Sequence, residues 1–141
     1  MAKLEAYRPT DESKRYFYND TRSWKRLVDF VIDTCTNLLR KGEIDAWYSG
    51  YGHIVDAETT TAIANRVQQL INEGTVKRRE IELTIAFPPI RCSFCDGTGF
   101  KGKGKCTTCH GKGEIEQSFF SEDNVRAFAK FAKESGGFDI W

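Results

Sequence analysis

The sequence C-x-x-C-x-G-x-G occurs twice within a short stretch of this chain. The first copy is Cys92-Ser93-Phe94-Cys95-Asp96-Gly97-Thr98-Gly99 and the second is Cys106-Thr107-Thr108-Cys109-His110-Gly111-Lys112-Gly113. Each C-x-x-C pair lets two sulfurs of one tight turn reach the same ion, and two pairs on opposite arms of a hairpin complete a tetrahedron. The glycines let each turn curl under its sulfurs, so that backbone amides can face them. Four protein ligands leave no open coordination position, which is the mark of a structural metal rather than a catalytic one. The spacing therefore predicts one structural zinc held by Cys92, Cys95, Cys106 and Cys109. Iron in the same four-thiolate shell is the alternative metal, and it would serve electron transfer. A single C-x-x-C can run dithiol exchange, but two matched copies are hard to explain that way. His110 need not ligate where four cysteines are available.

This doubled motif resembles the cysteine-rich zinc domain of DnaJ-type chaperones. That family carries four such repeats and two zincs, so the two repeats here suffice for one. The resemblance covers residues 90–113 only. No His-Pro-Asp sequence occurs in the chain, so a J domain and stimulation of Hsp70 are not implied. Isolated repeats of this kind imply protein binding, as in chaperone and assembly factors and in a small bacterial inhibitor that masks an RNA-binding protein. The wider layout is similar to that of small bacterial and phage proteins, and it implies no activity.

Charge is distributed unevenly around the motif. The 141 residues carry a formal net charge of +1. Between Arg91 and Gly113, however, five cations oppose only Asp96, which makes this stretch +4 and leaves −3 for the rest. The run Lys101-Gly102-Lys103-Gly104-Lys105 forms the expected hairpin tip. Its lysines offset the −2 formal charge of a four-thiolate zinc centre, and they can also touch phosphates without reading sequence. Near-neutrality of the whole excludes a protein that grips nucleic acid over its entire surface. No apolar run approaches the roughly 20 residues of a membrane helix, and the N-terminus lacks the apolar stretch of a signal peptide. We expect a soluble, cytoplasmic protein whose five cysteines stay reduced.

Periodicity outlines the remainder. Trp24, Leu27, Val28, Val31, Cys35, Leu38 and Leu39 form one apolar stripe, predicting a helix over 24–41 capped by Ser23, with Cys35 as core filling. Residues 43–55 read as a Gly- and aromatic-rich loop, with Trp47, Tyr48, Tyr51 and His53 as its side chains of interest. Asp56 and Gly74 bracket a second helix over 57–73. Ile81, Leu83, Ile85 and Phe87 alternate with Glu82, Thr84 and Ala86, which favours a strand over 76–87 with a helix as the alternative. Ser121 caps a last helix over 122–134, and the tail Phe138, Ile140 and Trp141 docks on the core or meets a partner.

The expected fold is α+β, mostly α: a small helical domain with an inserted one-zinc knuckle hairpin. Its parts are an N-terminal helical body (1–89), the zinc module (90–114), and a C-terminal strand, helix and hydrophobic tail (115–141) that packs on the body. No catalytic constellation is evident, so we expect a binding protein rather than an enzyme. The first expectation is a protein-interaction module, as adaptor, assembly factor or inhibitor. The second is a nucleic-acid-binding regulator using the Lys-rich tip. Candidate partner-binding residues are Lys101, Lys103, Lys105, Phe100, Trp47, Tyr51 and Trp141.

Overall fold

The computed structural model describes residues 1–141. In chain order the elements are β1 (Ala2–Ala6), β2 (Tyr16–Asn19), α1 (Thr21–Cys35), α2 (Glu43–Ser49), β3 (His53–Val55), α3 (Ala57–Asn72), α4 (Thr75–Ala86), β4 (Ile90–Arg91), β5 (Phe100–Lys101), β6 (Gly104–Lys105), β7 (Glu114–Ile115), α5 (Glu122–Ser135) and β8 (Phe138–Ile140). The fold is α+β, mostly α. No helix is long and apolar enough to cross a membrane. The chain divides into two compact units: Met1–Lys77 with Phe120–Trp141, and Arg78–Phe119.

The first unit is built on a four-stranded antiparallel sheet of order β2-β1-β8-β3. The C-terminal segment thus supplies a central strand, with Phe138 and Ile140 fully buried. Trp141 extends the pairing: its amide donates to the Lys3 carbonyl at 2.8 Å and its carbonyl accepts from the Lys3 amide at 3.1 Å. Helix α3 packs on α5, presenting Ile63, Ala64, Val67, Leu70 and Ile71 from its buried side. At the centre Trp24 of α1 stacks on Trp47 of α2, with centroids 6.0 Å apart and planes 5° apart. Phe128 and Phe138 meet Trp47 edge-on, an arrangement that aligns ring edges with ring faces. Cys35 is buried, as core filling requires.

Several local expectations change. Helix α1 starts at Thr21 because Asp20, not Ser23, is its cap: Asp20 Oδ1 accepts from the Ser23 amide at 2.8 Å. The α-helix ends at Cys35 and a single 3-10 turn, Thr36–Leu38, continues it. The segment read as a loop over 43–55 instead holds α2 and β3. Gly42 and Gly50, both with positive φ, flank α2, and Glu43 and Asp45 place negative charge in its first turn. The alternating segment over 76–87 forms α4, so the helical alternative holds. Alternation needs a buried sheet face to reward it, yet Ile81 and Ile85 are exposed and Leu83 is half-buried. Without that reward, the helix propensity of Lys, Arg, Glu, Leu and Ala decides. Strand β1 was not anticipated. The helices α3 and α5 keep their expected caps, Asp56 and Ser121.

Candidate metal centre

The second unit has almost no conventional core. Its buried cluster is Cys92, Cys95, Cys106 and Cys109, with Ile115 partly buried against it. Two short antiparallel pairs frame it: Ile90↔Ile115 and Arg91↔Glu114 in β4–β7, and Phe100↔Lys105 and Lys101↔Gly104 in β5–β6.

The two repeats share the same backbone hydrogen bonds. Gly97 donates to the Cys92 carbonyl at 2.9 Å, and Gly111 to the Cys106 carbonyl at 3.0 Å. The Gly99 amide meets Cys95 Sγ at 3.3 Å, and the Gly113 amide meets Cys109 Sγ at 3.2 Å. The halves then interlock: Cys106 donates to the Gly99 carbonyl at 2.9 Å and Cys92 to the Gly113 carbonyl at 3.0 Å. This explains the last glycine of each repeat. A Cβ on Gly99 would lie 2.5 Å from the Gly111 carbonyl oxygen, and a Cβ on Gly113 would lie 2.5 Å from that of Gly97. Both also have positive φ, at 81° and 76°, a region that glycine enters without steric cost.

The four sulfurs lie within 4.8 Å of one another. Cys92 and Cys106 are 3.9 Å apart, and Cys95 and Cys109 are 3.7 Å apart. A tetrahedral zinc with bonds of about 2.3 Å sets its sulfurs roughly 3.8 Å apart, so the cluster fits. Four buried cysteines are thus arranged to bind one metal ion, consistent with a single structural zinc. Burial pushes the Cys95 thiol up, but the Gly99 amide and the neighbouring sulfurs outweigh it and bring it down to about 6. Cys106 is lowered too, because the Cys109 and Thr108 amides outweigh its burial. Amide donors aimed at sulfur favour the thiolate, the form a metal needs.

Sequence reading counted Arg91 and Lys105 as surface cations and missed that each is the first residue of its repeat. Arg91 donates to the Asp96 carbonyl at 2.6 and 3.2 Å and pairs with its carboxylate at 3.0 Å. Its side chain crosses Gly97, as that of Lys105 crosses Gly111. The repeat therefore begins one residue earlier, with Arg91 and Lys105 in matching positions, a signal visible in the sequence.

The structure separates the other candidate residues. Lys101, Lys103, Lys105 and Phe100 are exposed on the hairpin, and Lys101 Nζ lies 4.7 Å from the Phe94 ring centroid while donating to the Phe94 carbonyl at 2.9 Å. Tyr51 is 90% exposed and Trp141 52%. Trp47 is 0% exposed, and its inclusion as a partner-binding residue is corrected: it is stacked core, and its carbonyl accepts from Trp24 Nε1 at 2.9 Å.

No family model matches this chain, and no solved structure does. The metal centre rests on its own geometry. Its chemistry is to close a hairpin, since a full four-thiolate shell has no position for substrate.

Proposed function

We propose that the protein is a zinc-stabilised protein-interaction module, acting as adaptor, assembly factor or inhibitor of another protein, and not as an enzyme. One observation carries the reading. The second unit buries its four cysteines while Ile81, Ile85, Phe87, Ile90, Phe94 and Phe100 stand exposed at 43–75%. Six large apolar side chains left exposed on a unit of this size are the kind of surface that a partner covers. Its two repeats resemble those of DnaJ-type zinc domains, whose isolated forms bind proteins, and its reduced cysteines suit a cytoplasmic setting.

The test is capture from host lysate with the zinc-loaded chain as bait. A single stoichiometric protein, lost on Phe94→Ser/Phe100→Ser, is expected. Recovery of none, or of the same set by bait and variant, counts against the module.

A second reading has its own support. Lys105 pairs with exposed Phe100 across β5–β6 and Lys103 is exposed in the turn between them, and ring-plus-cation surfaces suit single-stranded nucleic acid. Bases offer nothing to the exposed isoleucines, and Lys101 is already engaged with Phe94, so we rank it second. Salt-sensitive binding to a generic oligonucleotide, abolished by Lys101/Lys103/Lys105→Ala, would promote it.

A further inference from the structure

One edge of the sheet in the first unit is open beside a groove. Strand β2 stands at the end of the order β2-β1-β8-β3. The Ala6 amide donates to the Arg15 carbonyl at 2.8 Å, and the register continues through Glu5↔Tyr16, Leu4↔Phe17 and Lys3↔Tyr18. Antiparallel alternation then turns the amides and carbonyls of Tyr16 and Tyr18 away from β1. Both residues are exposed. Of these four groups only the Tyr18 carbonyl is engaged, by Asn19 Nδ2 at 2.8 Å. Native sheets commonly guard such an edge with lysine, proline or a bulge. Tyr16-Phe17-Tyr18-Asn19 has none of these in its unbroken register.

The groove runs between β2 and α5. Two ties close its ends: the Asn19 and Asn124 amides bond reciprocally at 2.9 Å, and Lys14 pairs with Glu134 at 3.4 Å. Between these ties each element runs roughly 15 Å, the length of four or five extended residues. The opening holds about 270 Å³ and is lined by Lys14, Phe17, Ala127, Lys130 and Phe131, among others. Glu134 is spent on Lys14, which leaves exposed Lys130 as the unpaired cation of the lining. Free amides and a free carbonyl at strand spacing select a polypeptide, whose backbone offers the complementary groups in alternation. The residue opposite Phe17 shares its inward face, so its side chain enters the groove and meets apolar surface. A second copy of this chain does not fit. Pairing β2 on β2 through both tyrosines would set Phe17 against Phe17, and each is already packed on Phe128 and Phe131 of its own core. We propose that β2 and α5 bind an extended segment of another protein. It pairs antiparallel to Tyr16–Asn19, with an apolar residue over Phe131 and Ala127 and an acidic residue toward Lys130. This surface belongs to the first unit and stands independently of the zinc hairpin.

The full zinc-loaded chain serves as bait for a displayed library of random heptapeptides, and the best binder is synthesised and titrated into nitrogen-15-labelled protein. Binders are expected to alternate apolar residues with others and to carry an acidic residue. They should shift amides within residues 13–19 and 124–134 and slow hydrogen exchange at the Tyr16 and Tyr18 amides. Tyr18→Pro deletes one outward amide and leaves the β1 ladder intact, while Ala127→Gln fills the groove from an exposed helical position. Each should weaken binding about tenfold or more, and Lys130→Gln severalfold. The proposal fails if the library yields no binder tighter than about 1 mM, or if Ala127→Gln, which does not threaten the fold, binds as the parent does. Shifts confined to residues 90–115 also overturn it and would favour the hairpin as the peptide site, so the two surfaces are told apart. Concentration-dependent dimerisation through Tyr16–Asn19 without any peptide overturns it equally.

Discussion

Asp96 and His110 follow the second cysteine of their respective repeats, and both adopt left-handed backbone with φ near 55°. Asp and His are among the side chains that enter this region most readily, so the position selects for a turn and not for a ligand. The glycines around them are more demanding. Gly99→Ala would force a Cβ against the Gly111 carbonyl and disturb the amide that faces Cys95 Sγ. Groups that support metal ligands in this way typically contribute about 10–100-fold in affinity. We expect Gly99→Ala to lose zinc affinity on that scale in a chelator competition, while Gly104→Ala, whose Cβ meets open space at negative φ, keeps it. Equal affinities for the two variants would show that the interlock does not support the metal. This much was legible from spacing alone, because ligand type, turn and glycine recur in one local pattern. What Arg91 and Lys105 do in the repeat was not legible, because their role is a reach across a glycine, which no ligand template includes.

Elements tell a different story. Helices with a full apolar stripe and a cap, such as α3 and α5, were readable because one face meets the core at every turn. Helix α2 was not: it has seven residues, and only Trp47 among them is buried. Too short to show a period, it is held by tertiary contacts. Trp47→Ala should therefore cost about 3–5 kcal/mol in urea unfolding, while Tyr51→Ala, at the exposed end of the same segment, should change stability little. A Trp47→Ala cost no larger than that of Tyr51→Ala would mean that α2 is dispensable. Two tyrosines also tie elements together. Tyr7 donates to Asp139 of β8, and Tyr48 of α2 donates to Asp29 of α1. Burial first, then the bonded carboxylate, pushes each phenol up to about 12 from the ordinary 10. The folded state thus holds these protons more tightly than the unfolded chain. Their stabilisation is complete below pH 10 and is lost as pH rises from about 10 to about 12. In a phenolate absorbance titration of the native protein, two of the five tyrosines should ionise late, and Tyr7→Phe should leave one. Five early-titrating phenols would contradict these bonds.

At the scale of the molecule, the two units owe their stability to different sources. The first has a large aromatic and aliphatic core centred on Trp24, Trp47, Phe128 and Phe138. The second encloses little beyond four thiols and part of Ile115, and at about 40 residues a chain without a core usually needs a metal or disulfides. All five cysteines are free thiols, which leaves metal binding as its source of folding free energy. The sheet of the first unit was not legible for a related reason. Strand β8 pairs with β1 across nearly the whole chain, and no local pattern announces a partner so distant. Removing zinc with a strong chelator should therefore abolish amide protection over residues 92–113 while protection in α1, α3 and α5 persists. Cys106→Ser should reproduce this pattern without chelator, because three thiolates cannot close the tetrahedron. If α1, α3 and α5 instead lose protection at the same chelator concentration as the hairpin, the metal stabilises one cooperative whole. The separate cores described above would then not be separate in energy.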